Sequence, residues 1–137
     1  MLKFKFIDDI TSDVRYNAYG RDIKEVFENS ALALFNVIAL VEDLKPLKKI
    51  EFRIDGEDNR DLLYNFLQYL IALVDIEGMF FVKVDILEIR DDFLVANVFG
   101  ENIKPEFGRT VVKAVTGHNF DLIKKKDKWV ASVVLDV

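Results

Sequence analysis

The sequence predicts an α+β fold: a single domain over residues 1–137, a mainly antiparallel or mixed β-sheet of about seven or eight strands packed with two α-helices. Three observations carry that prediction. Two segments show apolar residues at helical spacing, the remaining apolar segments alternate with period two, and the strands do not alternate regularly with helices as a parallel α/β sheet requires. The 137 residues, 51% of them hydrophobic, suffice for one substantial core and not for two.

Taken in order, the elements each have a local reason. "FKF" near the N-terminus alternates, and "DVRYNAYG" reads as a second strand closed by Gly20. A helix then starts at Asp22, with Glu25 three residues later as a capping box. Its core face is Ile23, Val26, Phe27, Ala31, Leu34, Phe35 and Ile38. "KIEFRIDG" sets Ile50, Phe52 and Ile54 against Lys49, Glu51, Arg53 and Asp55, the strict alternation of a half-buried strand.

The second helix begins at Asp58. Leu62, Leu63, Phe66, Leu67, Leu70, Ile71 and Val74 form its apolar stripe, and Gly78 is its expected stop. After Gly78 the pattern is all strand. "FFVKVDILEIR" and "FLVANVFG" flank Asp91 and Asp92 as a hairpin, and the apolar phase slips between Ile86 and Leu87, which predicts a bulge. "TVVKAVTG", "FDLIKK" and "WVASVVLDV" complete the strands, the last two joined across a lysine-rich tip.

The composition narrows the chemistry. A net charge of −5 gives no general attraction for a polyphosphate backbone, so contact with RNA is expected only indirectly, through a partner. The absence of cysteine removes disulfides, thiolate metal sites and thiol nucleophiles, and suits a reducing compartment. "MLKFKFIDDI" lacks the pattern of a signal peptide, and "ALALFNVIALV" falls short of the ~18 apolar residues of a membrane span. A cytoplasmic location with no membrane association is expected.

Catalytic motifs are missing. The six glycines are isolated and form no phosphate cradle, the single His118 cannot build a zinc site alone, and Ser12, Ser30 and Ser132 stand in no nucleophile turn. What remains is oxygen chemistry of the kind that binds calcium, magnesium or manganese. Asp13 stands where a loop passes into a strand and Asp136 where the final strand ends; if those ends adjoin, a cation between them would relieve the repulsion. The competing reading is that each aspartate is solvated or caps a turn.

"TSDVRYNAYG", "DIKEVFENSALALF", "DGED", "LIALVDIEG", "GENIKPE", "VKAVTGH" and "WVASVVLDV" occur in the order and spacing of the archease family, which the whole chain resembles. The resemblance implies a small α+β protein that activates an RtcB-type RNA ligase in tRNA splicing and RNA repair. Such a protein promotes guanylylation of the ligase's histidine and repeated turnover without itself joining strands. It also implies a divalent metal, calcium-like, held by Asp13 at the position of the family's "HTAD" aspartate and by the terminal pair Asp136 and Val137. Two positions depart from the pattern: Ile10 replaces the motif's histidine and Gly117 a customary tyrosine, while Lys113, Thr116 and His118 are retained.

Secondary expectations follow. Asp8 and Asp9, with Asp13 and Asp136, would form a negative patch facing a basic partner, and Lys113 and His118 are further partner-facing candidates. His118 is also read as an ordinary turn residue, and "KKKDK", residues 124–128, as a solvated hairpin tip that blocks edge pairing. Two alternative functions stay open: a chaperone-like modulator of a tRNA-modifying enzyme such as a tRNA methyltransferase, and, weakest, a metal-dependent hydrolase on Asp13 and Asp136.

Overall fold

The computed structural model describes residues 1–7 and 13–137. Eight strands among them form two antiparallel sheets. The larger runs β1 (Phe4–Ile7), β2 (Val14–Gly20), β8 (Trp129–Asp136), and then β6 (Ala114–Val115) and β7 (Asp121–Lys124) share the far edge of β8. The smaller has β5 (Phe93–Asn102) between β3 (Lys48–Asp55) and β4 (Met79–Ile89).

Both helices start and stop where local chemistry dictates. The Asp22 carboxylate accepts the Glu25 N–H at 2.8 Å to open α1 (Ile23–Ile38). The return arm of the expected box differs: Glu25 accepts from the N–H of Arg21, one residue before the cap, at 3.1 Å. Asp58 repeats the arrangement for α2 (Asn59–Glu77), accepting from Asp61 at 2.8 Å while Asp61 accepts from the N–H of Glu57 at 2.9 Å. Gly78 ends α2 in the left-handed region, φ 61°, which a residue without Cβ adopts at no steric cost.

The core lies on and between the sheets. α1 packs on β2 and β8 of the larger sheet and on β4 of the smaller, and its Phe27 and Phe35 meet Phe66 of α2 and Phe81 of β4 at ring-centroid distances of 5.7 and 6.0 Å. It therefore buries more than the single face that periodicity marks: Asn29, Ser30, Ala33 and Val37 are buried as well. Ser30 satisfies its hydroxyl on the Val26 carbonyl, 2.7 Å, so that a polar residue is tolerated there. α2 lies against β3, β4, β6 and β7.

Most strand expectations hold. The hairpin turns at Asp91 and Asp92, and the register of β4 on β5 shifts between Ile86 and Glu88, which pushes Leu87 outward as the phase slip required. "TVVKAVTG" is the exception. Only Ala114 and Val115 pair as a strand; residues 109–110 instead close onto the end of α1, through Arg109 N–H to Ile38 O at 2.9 Å and Thr110 N–H to Val37 O at 3.1 Å. β-branched residues favour extended backbone, yet among the described residues no strand pairs with Thr110–Val112. Among the described residues no helix is long and apolar enough to cross a membrane.

Candidate functional site

The register of β2 on β8 settles where the two predicted aspartates lie. Val14 pairs with Leu135 and the ladder runs on to Gly20 opposite Trp129. The ladder ends at the Val14–Leu135 pair, and continuing its register by one residue would bring Asp13 opposite Asp136. Directly opposed residues of an antiparallel pair share a sheet face, with Cβ atoms about 5 Å apart. Tyr16 and Ala18 of β2, with Val133 and Leu135 of β8, point into the core, so the aspartates belong to the opposite face, Asp136 exposed and Asp13 half-buried.

The other edge of β8 holds the same residue in place. Ala114 pairs with Asp136, the next step sets Lys113 beside Val137, and the Lys113 N–H donates to the Asp136 carbonyl at 2.8 Å. The main chain of Asp136 is thus held by β6 and Lys113, next to the last β2–β8 pair, Val14 and Leu135, while its side chain is exposed. Neither Asp13 nor Asp136 has an ion-pair partner among the described residues. Like charges opposed across a ladder destabilise it, and a hard cation accepting oxygen ligands removes that cost. Two carboxylates and the oxygens of Val137 are a donor set that fits such an ion. Among the described residues no group of three or more His, Asp or Glu side chains comes together to hold a metal, so at this end backbone oxygens would have to complete the donor set.

His118 lies in a turn over the same strand. Thr116 donates its N–H to Val134 O at 2.9 Å and its hydroxyl to the His118 carbonyl at 3.3 Å, and Asn119 turns the chain back with φ 59°. The ring is exposed, and no hydrogen bond or ion pair joins it to either carboxylate among the described residues. A Cβ at Gly117 would meet nothing within 4 Å, so a larger side chain there alters the surface and leaves the fold intact. Asp8, Asp9 and Ile10 lie outside the described residues.

Beside Asp13 opens a cleft of about 330 Å³ whose wall includes Arg15, Asn36, Arg109 and Thr110. These residues escaped the sequence reading. Arg15 stands one pair further along the face of Asp13, legible only once β2 is placed, whereas Arg109 arrives from a remote loop for which no periodic signal exists. The lysine-rich tip is a tight turn, closed by Lys125 N–H to Lys128 O at 2.8 Å, at the end of β8 remote from Asp136.

A small α+β domain that packs a shared helix between two antiparallel sheets defines the class of protein. The Archease protein family (MTH1598/TM1083) matches over residues 4–137. The chain belongs to that family. Protein archease of Sulfurisphaera tokodaii is 34% identical over the whole of both chains, and that of Pyrococcus abyssi 37% identical over 93% of this chain and 94% of its own. The solution structure of Methanobacterium thermoautotrophicum protein 1598 superposes with a TM-score of 0.82 at 35% identity, covering 98% of this chain and 99% of that one. A crystal structure from Thermotoga maritima, described as an archease and possible chaperone, has the same fold: TM-score 0.69, 17% identity, 96% and 95% coverage.

Proposed function

We propose that the protein is a non-catalytic activator of an RtcB-type RNA ligase, promoting ligase guanylylation and multiple turnover through a metal-bearing end at Asp13, Asp136 and Val137. The observation that carries this reading is the pairing of Val14 with Leu135 in a chain of the archease family, a register that continued by one residue brings Asp13 opposite Asp136. A divalent cation, calcium first and magnesium or manganese next, would neutralise the paired carboxylates. The chain's own residues do the rest: β6 fixes the backbone of Asp136, and Arg15 and Arg109 line the cleft beside Asp13. RNA is met only through the ligase.

The test is multiple-turnover RNA joining by a cognate ligase with GTP and metal, with and without this protein and its Asp13→Asn and Asp136→Asn variants. Activation by the wild type and loss in both folded variants is the expected result. Calcium at one hundred times its dissociation constant should stabilise the wild type by about 2.7 kcal/mol and leave the variants nearly unmoved. If the variants activate as well as the wild type, the carboxylates have no part in activation; if the wild type does not activate a competent ligase, the reading falls.

A second reading is a chaperone-like modulator of a tRNA-modifying enzyme such as a methyltransferase; of this only the chaperone-like part is echoed in the description of the Thermotoga maritima structure as a possible chaperone. It requires suppression of client aggregation in the absence of any ligase.

A further inference from the structure

Beyond Thr110 the surface opens into a second depression, a groove of about 430 Å³ between the C-terminal halves of both helices and the segment that follows β5. Ile38, Ile71, Val74 and Phe80 line it, all buried side chains of the core, with the exposed Asp75 of α2 at its wall, and the volume has room for more than one apolar side chain. Its lip is Val111, the most exposed large hydrophobic among the described residues at 83%, with Ile103 also exposed. The Val111 N–H makes no backbone hydrogen bond among the described residues and is open to a segment laid along the lip.

Two further observations say what would lie there. Arg109 and Thr110 line both this groove and the Asp13 cleft, so the two depressions form one continuous surface that a single partner can cover. Arg109 is exposed and makes no ion pair among the described residues, in a protein of net charge −5. An unengaged guanidinium beside an apolar hole selects a carboxylate close to an apolar anchor.

We infer that the groove is a docking pocket for the protein partner that the Asp13–Asp136 end faces, and that it receives an extended segment pairing a bulky apolar side chain with a neighbouring carboxylate. This rests on the activator reading, and the partner tested is therefore the RtcB-type ligase. Binding of purified ligase to the immobilised full chain is measured for the wild type, Val111→Asp and Arg109→Glu, with Leu87→Asp on the smaller sheet as control. Thermal melts establish that each variant is folded.

Val111→Asp and Arg109→Glu are expected to weaken binding at least tenfold and to raise the concentration for half-maximal stimulation by a similar factor, whereas Leu87→Asp binds as the wild type. Wild-type affinity in both groove variants overturns the inference while activation still supports the activator reading. Dimerisation of the wild type that Val111→Asp abolishes would also overturn it, since the occupant would then be a second copy. A wild type that neither binds nor activates overturns both.

Discussion

Tyr16 and the two strand-end aspartates come from the same short stretch of chain, and their fates follow from the face on which each lands. Tyr16 points inward, fully buried, and donates its hydroxyl to the Ser30 carbonyl at 2.9 Å, tying β2 to the middle of α1. Burial drives its phenol well above the ordinary tyrosine range, because no charge or solvent is at hand to support a phenolate. Tyr16→Phe keeps the ring and deletes the bond, so it is expected to cost about 1 kcal/mol, read as a lower urea midpoint at unchanged slope. Asp13, three residues earlier, falls on the opposite face by the alternation of β2, where the register continued by one residue would bring it to Asp136. The identity of each aspartate as a strand-end carboxylate was visible in the sequence. Their adjacency was not, because it depends on a pairing between residues more than a hundred positions apart, which no local period encodes.

At the scale of elements, what was legible is what is decided locally. Asp22, Asp58 and Gly78 act within three or four residues of themselves, and all three mark helix ends as expected. "TVVKAVTG" failed for the opposite reason: its strand character is real, but a strand needs a partner, and only Ala114 and Val115 have one. Two carboxylates show how distant elements are fastened, with opposite consequences for pH. Glu28 of α1 accepts the Ile86 N–H at the bulge of β4, 3.0 Å, and burial, the larger effect, raises its pKa. The folded state then holds more protons than the unfolded one just above pH 4.5, so this group's contribution falls as pH rises through that window. Glu101 accepts the Lys45 N–H at 2.6 Å and pairs with Lys104 at 3.1 Å, which lowers its pKa; its contribution is fully present above 4.5 and is lost as pH falls through the lowered value. Glu28→Gln should therefore equal or exceed the wild type in melting temperature at pH 7, an advantage that disappears below pH 4.5. Glu101→Gln should melt lower at pH 7, with a gap that narrows on acidification. Melts across pH 3–8, roughly the range spanned by the carboxylate windows, check both signs.

For the whole molecule the decisive fact is that α1 is shared. The absence of a polar face in "ALALFNVI" is the trace this leaves in the sequence, although amphipathic spacing alone describes one buried side and cannot reveal two sheets. Because both sheets cover the same helix, neither has a complete core of its own, and unfolding should be a single event. Phe35 tests this. It is 1% exposed and packs on Phe81 of the smaller sheet, whereas the sole tryptophan, Trp129, belongs to β8 of the larger. Phe35→Ala removes a buried ring and should cost about 3–5 kcal/mol. If the molecule is one cooperative unit, Trp129 fluorescence and far-ultraviolet circular dichroism report the same lowered midpoint, even though the cavity lies against the other sheet. A tryptophan transition that stays at the wild-type midpoint while the dichroism shifts would mean that the larger sheet keeps its fold without the smaller. The Asp13–Asp136 end would then be a locally stable platform and not one anchored by the whole core.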